Sequence, residues 1–229
     1  MKNILVTRDR NKSQHIETAM AIEGCKLLFE PLFEVQKLPL KVSKYKAAII
    51  TSSNAADSLI DADFDPKTII YSVGKSSAQN LIKAGFENVI YASQPNAKSL
   101  KSLIIEQHNK SEAIFYPHGT NITLDFAEEL GALGFNIEKV QSYEVHENLK
   151  FSSELLNFAK QDIFDEVLIF SKNSGKIFYE LCLKHNLLEY FMDAQLLCLS
   201  EEIADEMKRF GFKNSVSFEK IPSLKKIYD

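Results

Sequence analysis

Short apolar runs recur along the chain, and each is followed by a few small polar residues and then by a segment of helical length. The runs span residues 3–7, 46–51, 68–73, 88–92, 113–117, 166–170 and 195–200. Almost continuous hydrophobicity over five or six residues is typical of strands that are covered on both faces of a parallel sheet. The helical segments end on a glycine, a frequent residue after a helix C-terminus; four of them are 13–24, 76–85, 123–134 and 201–211. This alternation predicts an α/β fold with parallel sheets.

The chain also matches itself, which predicts a duplicated unit of about 110 residues. Three pairs of segments align: 50–59 with 170–179, 72–90 with 198–216, and 33–35 with 143–145. The alignment pairs Gly24 with Gly134 and Gly85 with Gly211. We therefore expect two similar, flavodoxin-like lobes.

Two short polar breaks, QKLPL and HENLKFS, follow the matching FEV and YEV segments and predict crossovers between the lobes. On this reading lobe 1 is discontinuous and lobe 2 is continuous. The expected bounds are 1–35 with 148–229 for lobe 1, 40–142 for lobe 2, and 36–39 and 143–147 for the linkers. Two linkers side by side would form a hinge beside a cleft. The alternative, two consecutive domains that divide near residue 110, stays open.

Composition narrows the function classes. Hydrophobic residues make up 45% and charged residues 25% of the chain, which suits a packed core and excludes disorder. The 27 basic and 31 acidic side chains give a net charge of -4, which argues against broad contact with nucleic acid or an anionic membrane. Only Arg8, Arg10 and Arg209 are arginines, so an anionic ligand would have to be bound largely by backbone donors.

Cysteine usage and the N-terminus predict a soluble cytoplasmic protein. Cys25, Cys182 and Cys198 show no paired spacing, which favours a reducing compartment. The apolar run within the N-terminal segment MKNILVTRDR is too short for the hydrophobic core of a signal peptide. No stretch of the sequence approaches the ~18 consecutive apolar residues of a membrane span.

Sequence motifs for nucleotides and metals fail when tested. GlyLysSer at 74–76 resembles the end of a P-loop, but that motif needs a glycine where Ile69 stands. Neither GxGxxG nor the GxSxG elbow of α/β-hydrolases is present. The five histidines and three cysteines lack zinc-like spacing. We expect no metal and no cofactor.

Polar loops at the carboxyl ends of the predicted strands remain as the candidate binding site, because helix N-termini offer free N–H groups and a positive dipole there. The candidate residues are Thr7, Arg8, Thr51, Ser52, Ser53, Asn54, Gly74, Lys75, Ser76, Ser77, His118, Gly119, Thr120, Ser171, Lys172 and Asn173. The ordinary alternative for any one loop is that its Ser, Thr or Asn simply caps a helix. Convergence of several loops favours a site for carboxylates or phosphates.

Tyr143 is the candidate for chemistry. It is expected to end the strand that leads into the second crossover, near the hinge, where a phenol could donate a proton or a hydrogen bond to a departing hydroxyl. The alternative is an ordinary, partly buried aromatic residue at a strand end.

Six segments together resemble one known family. They are ILVTR, AAIITSSNAADSL, YSVGKSSAQNLIKAGF, YPHGT with the following FAEELGALGFNIEKVQSYEV, VLIFSKNSG, and IADEMKRFGF with the final IPSLKKI. In order and spacing they resemble uroporphyrinogen-III synthase over essentially the whole chain. The resemblance implies two α/β lobes on a two-stranded linker. It also implies conversion of hydroxymethylbilane, without a cofactor, to uroporphyrinogen III, with loss of water and inversion of the last pyrrole ring.

The resemblance further implies roles for particular residues. Tyr143 matches the tyrosine of the family's VY motif and would assist departure of the hydroxyl. The helix N-termini at 52–54, 76–77 and 119–120 would bind substrate carboxylates. The partner is then a small molecule, not nucleic acid or membrane, and the chain would act as a monomer in haem biosynthesis. A transient contact with the preceding enzyme of the pathway stays open.

Departures from the family pattern keep other functions open. The family's GPTTA is replaced here by SEEIA at 200–204, whose carboxylates would repel an anion, so substrate binding is not assigned to that loop. One alternative is a catalytically drifted two-lobed protein that only binds anions, favoured if Glu201 and Glu202 face the cleft and Tyr143 is buried. The other is an unrelated sugar-phosphate isomerase, disfavoured because no compact phosphate loop stands out.

Overall fold

The computed structural model describes residues 1–14, 16–18, 24–41, 45–122, 124–161 and 163–221. The strands among them are β1 (Asn3–Val6), β2 (Lys26–Phe29), β3 (Phe33–Lys37), β4 (Ala47–Ile50), β5 (Ile69–Ser72), β6 (Asn88–Tyr91), β7 (Ile114–His118), β8 (Ile137–Gln141), β9 (Tyr143–Glu147), β10 (Glu166–Ile169), β11 (Gln195–Cys198) and β12 (Ser215–Ser217). Each of the seven apolar runs contains a strand. All seven strand predictions are therefore confirmed.

The helices are α1 (Ser53–Asp61), α2 (Lys75–Lys83), α3 (Ala97–Gln107), α4 (Phe126–Gly131), α5 (Ser153–Gln161), α6 (Lys172–Lys184), α7 (Leu188–Phe191) and α8 (Glu201–Arg209). Single 3-10 turns lie at Arg10–Ser13 and Phe218–Lys220. The expected helix over 13–24 and the segment 221–227 lie partly outside the described residues. In the part of the chain that is described, no helix combines the length and the apolar character that crossing a membrane requires.

Two compact α/β units are present. Unit 1 is formed by 1–34 and 147–229, and unit 2 by 35–146. Unit 1 contains the sheet β12-β11-β10-β1-β2 and unit 2 the sheet β6-β5-β4-β7-β8, and β3 and β9 pair in a separate two-stranded sheet. The pairs within the five-stranded sheets are parallel. The predicted fold class is confirmed: parallel α/β lobes, one of them discontinuous, on a two-stranded connection.

The strand orders show how the duplication is arranged. The repeats run from β1 to β6 and from β7 to β12, and each unit combines the first two strands of one repeat with the last three of the other. When β3 and β9 are left out and the remaining five strands of each repeat are numbered in order, both sheets have the flavodoxin-like order 2-1-3-4-5. In unit 2 the same order is reached by a circularly permuted chain. The two halves of the sequence have therefore exchanged strands.

Backbone conformation repeats with the sequence. Gly24 and Gly134 have φ values of 68° and 86°, and Gly85 and Gly211 have values of 101° and 102°. These left-handed conformations favour glycine because it lacks a Cβ atom. After α2, Gly85 N–H donates to Ile82 O and Phe86 N–H to Leu81 O, which closes the helix. The predicted role of these glycines as helix terminators is confirmed where the helices are described.

Burial explains why the central strands are apolar throughout. All four residues of β4 are fully buried. Ala48 and Ile50 pack into one hydrophobic cluster, and Ala47 and Ile49 pack into a second. Alternate side chains point to opposite faces of a sheet, so both faces of this sheet are covered.

Apolar runs did not reveal β2, β3, β8, β9 and β12. Most residues of β3 and β9 are exposed or half-buried. Their apolar residues alternate with Glu, Gln and His, so neither strand forms an apolar run. One prediction about Tyr143 was also wrong: it begins β9 instead of ending the preceding strand, β8, from which Ser142 separates it. Ser142 N–H donates to His118 O at 2.8 Å, which continues the β7–β8 ladder by one residue before β9 starts.

Candidate functional site

A cavity of about 440 Å³ lies in unit 2 at the carboxyl ends of β4, β5 and β7. Connections leave the sheet in opposite directions from β4 and β7, and such switch points are where open parallel sheets bind ligands. Of the residues predicted from the sequence, five line this cavity: Thr51, Ser52, His118, Gly119 and Tyr143.

Tyr143 is held by a close approach and a hydrogen bond. Its Oη atom lies 2.8 Å from Ser52 Oγ. Its ring lies so near Gly119 that a Cβ atom there would be 2.5 Å from Cε2 and Cζ of the tyrosine. Position 119 must therefore lack a side chain, since real Cβ contacts are not that short. The two contacts fix both the ring and the hydroxyl.

Ser52 places a helix N-terminus at the cavity. It is the N-cap of α1, with extended backbone (φ -150°, ψ 160°), and its Oγ accepts from Ala55 N–H at 3.1 Å. This is the usual function of a serine N-cap, which satisfies one of the free N–H groups of the first turn. The positive end of the α1 dipole therefore lies beside the Tyr143 hydroxyl.

Asn96 supplies a second helix N-terminus, which the sequence analysis missed. It caps α3, where its Oδ1 accepts from Ser99 N–H at 2.8 Å, and it lines the same cavity together with Pro95. The signal was present, because SQPN follows the apolar run at 88–92 as the other candidate loops follow theirs.

Tyr116 forms part of the wall and contributes polarity without charge. Its Oη donates to Leu124 O at 3.3 Å, and burial raises the pKa of the phenol to about 12 while a hydrogen bond with Thr51 opposes the rise. It therefore stays protonated at neutral pH. The remaining lining is mostly apolar and includes Val73, Ile122 and Phe126.

The loop after β7 is braced by its own polar groups. His118 Nδ1 lies 2.6 Å from Gly119 O, and His118 O accepts from Ser142 N–H. These bonds connect the residue before Tyr143 to the loop beneath its ring. The neighbouring Thr120 is exposed, and its Oγ1 accepts from Gln141 Nε2 at 3.4 Å.

The other unit 2 candidates occupy two helix starts. Ser53 and Asn54 are in the first turn of α1 and are half-buried. Gly74 caps α2 without a side-chain bond, and it is followed by exposed Lys75 and Ser76 and by buried Ser77. Neither group is part of the cavity lining.

A model of the protein family described as "Uroporphyrinogen-III synthase HemD" matches residues 14–225. The chain belongs to this family. An uncharacterized protein of Rickettsia prowazekii is 24% identical to it, over 94% of this chain and 93% of the relative.

Solved structures of the uroporphyrinogen-III synthase family share its fold. The crystal structure of the synthetase from Helicobacter pylori matches with a TM-score of 0.64 at 16% identity, covering 100% of this chain and 98% of that one. A mutant synthase from Thermus thermophilus matches with a TM-score of 0.54 at 14% identity, covering 100% and 99%.

In this member of the uroporphyrinogen-III synthase family, the unit 1 candidates make mainly internal contacts. Thr7 is buried and donates to Leu168 O at 2.6 Å, and the Arg8 guanidinium lies 5.5 Å from the centre of the Phe170 ring. Ser171 forms a capping box with Ser174 at the start of α6.

Acidic residues of α8 pair with nearby lysines in unit 1. Lys172 is bound to Glu202, and Lys220 lies 2.8 Å from Glu201. Asn173 Nδ2 is 3.5 Å from a carboxylate oxygen of Glu147. The segment SEEIA therefore places one carboxylate, that of Glu202, against the candidate Lys172. Among the residues that the structure describes, no group of His, Cys, Asp and Glu could hold a metal ion.

Proposed function

We propose that this chain is an active uroporphyrinogen-III synthase, a lyase that cyclises hydroxymethylbilane to uroporphyrinogen III with loss of water. Family membership and fold supply the class. The observation that carries the specific activity is the hydroxyl of Tyr143, which borders a cavity at the switch point of a parallel sheet and is held beside a helix N-terminus.

The chemistry asks little of conventional acid and base residues. When the C–O bond of the hydroxymethyl group breaks, the pyrrole nitrogen stabilises the cation as an azafulvene. Tyr143 donates its proton to the departing hydroxyl, which leaves as water. The last pyrrole ring then attacks through its substituted carbon to form a spiro intermediate. The bond from that carbon to the original methylene bridge breaks and leaves a second azafulvene, whose methylene carbon bonds to the unsubstituted α-carbon of the now inverted ring. Loss of the proton from this α-carbon restores the aromatic pyrrole and returns a proton to the phenolate. Positioning supplies most of the remaining catalysis.

Backbone donors suit the charge of the substrate. Hydroxymethylbilane carries many carboxylates, whereas this chain has a net charge of -4 and only three arginines. The N-termini of α1 and α3, capped by Ser52 and Asn96, both reach the cavity. Helix N-termini bind anions through free N–H groups and the dipole without needing a side-chain cation.

A second candidate is a drifted protein of the same fold that binds anions without turnover. Two observations favour it. Tyr143 is only 8% exposed, and Glu201 and Glu202 occupy the first turn of α8, where they pair with lysines. One observation argues against it: Tyr143 lines the cavity, so a ligand bound there would lie next to this side chain.

Freshly prepared hydroxymethylbilane decides between the two. We expect the purified protein to yield the type III isomer, separated by chromatography after oxidation to porphyrin. Heat-treated protein serves as the control, since the substrate closes spontaneously to the type I isomer. Binding of the substrate accompanied by type I product alone would support the drifted protein and contradict the synthase.

A cytoplasmic location and a monomeric state stay predictions. Size-exclusion chromatography of the purified protein would test the monomeric state.

A further inference from the structure

We infer that Ser52 is a positioning residue for Tyr143: its hydroxyl donates to Tyr143 Oη and leaves the phenol proton free for the bound ligand. The inference deepens the proposed function and rests on it. The inference is based on the 2.8 Å contact between the hydroxyl oxygens of Ser52 and Tyr143, which are 91 positions apart in the chain.

The N-cap bond favours one direction for this contact. Ser52 Oγ already accepts from Ala55 N–H at 3.1 Å. A hydroxyl that accepts a hydrogen bond becomes a stronger donor, because each bond in a chain polarises the next. The positive end of the α1 dipole increases the effect. The Ser52 proton is therefore directed to Tyr143 Oη.

The direction determines what the phenol can do. If Tyr143 donated to Ser52, its proton would be engaged and only lone pairs would be offered to a ligand. In the inferred direction, the chain of donors runs from Ala55 N–H through Ser52 to Tyr143. The phenolate formed on proton transfer would then be stabilised by the serine hydroxyl. Hydrogen-bond donors in an oxyanion hole stabilise a developing negative charge in the same way.

The equivalent serine of unit 1 separates capping from positioning. Ser171 caps α6 with nearly the same backbone conformation (φ -155°, ψ 160°), yet its hydroxyl lies 2.9 Å from Ser174 Oγ. Unit 1, to which Ser171 belongs, has Phe33 at the position that Tyr143 holds in unit 2. A serine cap at this point of the fold thus needs no tyrosine, and the Ser52–Tyr143 contact is particular to unit 2.

The test compares Ser52→Ala with Ser52→Thr, which keeps the hydroxyl, and with Ser200→Ala. Ser200 is the matched control, because it caps α8, a helix of the same nine-residue length as α1, through a bond to Ile203 N–H. Each variant is assayed for kcat and KM with hydroxymethylbilane. Tyr143→Phe and the double variant Ser52→Ala/Tyr143→Phe complete a cycle.

We expect Ser52→Ala to lower kcat about tenfold with KM changed less than about twofold, the size of one lost hydrogen bond in the transition state. Ser52→Thr should recover most of the rate, and Ser200→Ala should keep it. The double variant should be as slow as Tyr143→Phe alone. An unchanged kcat in Ser52→Ala, or losses that simply add in the double variant, would overturn the inference.

A readout without turnover keeps the inference apart from the proposed function. In protein labelled with ¹³C at tyrosine Cζ, the Tyr143 resonance, assigned by its disappearance in Tyr143→Phe, should move in Ser52→Ala and stay in Ser200→Ala. A resonance that does not move in Ser52→Ala overturns the inference even if the wild type is active. Wild-type protein that forms only the type I isomer defeats the proposed function, whatever the resonance does.

Discussion

Tyr143 and Phe33 hold equivalent positions in the two repeats, each at the first residue of a five-residue strand in the two-stranded sheet of β3 and β9. Only Tyr143 carries a hydroxyl. The same position therefore occurs twice in the duplicated fold, and only one of the two has a hydroxyl that could donate a proton. The Tyr143 hydroxyl is the most direct point at which to test the proposed chemistry.

Tyr143→Phe removes that hydroxyl and little else. We expect kcat to fall tenfold or more, while the free energy of unfolding changes by about 1 kcal/mol, the usual net value of one hydrogen bond. Tyr179→Phe is the control, because Tyr179 stacks on Phe210 in unit 1 with ring centres 4.7 Å apart. The rate of isomer formation and urea unfolding are measured for both. Undiminished turnover in Tyr143→Phe would remove the residue from the mechanism.

Strand burial determined how much of the fold could be predicted. The strands β4 and β10 are buried at all four positions. The four apolar residues of β4, and the three that follow Glu166 in β10, predict that environment. The strands β3 and β9 lie mostly in solvent, so polar side chains are tolerated and the pattern loses its signal. Tyr143 was assigned to the wrong strand for this reason.

The site was predictable only in part, for a different reason. Its loops follow from the rule that parallel strands gather their carboxyl ends, which identified Ser52 and Gly119. The contact of Tyr143 with both depends on side-chain positions across segments distant in sequence. The pairing of Lys172 with Glu202 likewise joins two helices that no spacing rule relates.

Gly119→Ala tests the close approach beneath the Tyr143 ring. The added Cβ would lie 2.5 Å from two ring atoms, so the ring or the loop must shift, and we expect activity to fall at least as far as in Tyr143→Phe. We also expect destabilisation of about 1–3 kcal/mol, typical of overpacking. Thermal unfolding and isomer assays check both.

Gly131→Ala is the matched control for that substitution. A Cβ at Gly131, the last residue of α4, would meet nothing within 4 Å. Alanine is the better helix former, so stability should stay level or rise by up to about 1 kcal/mol, with activity unchanged. Equal activity in the two glycine variants would show that the ring does not need its position above residue 119.

Glu202→Gln should release Lys172 for an anionic ligand. The two side chains are paired near the start of α6, and both are largely exposed, so the pair adds little stability. We expect KM for hydroxymethylbilane to fall about two- to threefold at low salt and the difference to vanish at high salt, where exposed charges are screened. Glu180→Gln, which breaks the exposed pair of Glu180 with Lys176 on the same helix, is the control. A KM that responds equally to both substitutions would exclude a binding role for Lys172.

Asp125 links the stability of unit 2 to acid. It caps α4, and its ion pair with Lys139, together with the N–H groups of Ala127 and Glu128, holds the pKa of the carboxyl below its ordinary value of 3.8, although burial opposes the shift. A carboxyl whose pKa is lowered by folding stabilises the protein above the unfolded value, and that contribution is lost as the pH falls through the folded pKa. Asp125→Asn keeps an N-cap oxygen but does not titrate. The stability advantage of the wild type over Asp125→Asn should therefore be constant from about pH 5 to 7 and shrink below about pH 4, as followed by urea unfolding.

Lys139→Gln should reduce the acid dependence in the same way, because it removes the largest cause of the shift. An advantage that is as large at pH 3 as at pH 6 would show that the carboxylate charge adds nothing to the cap.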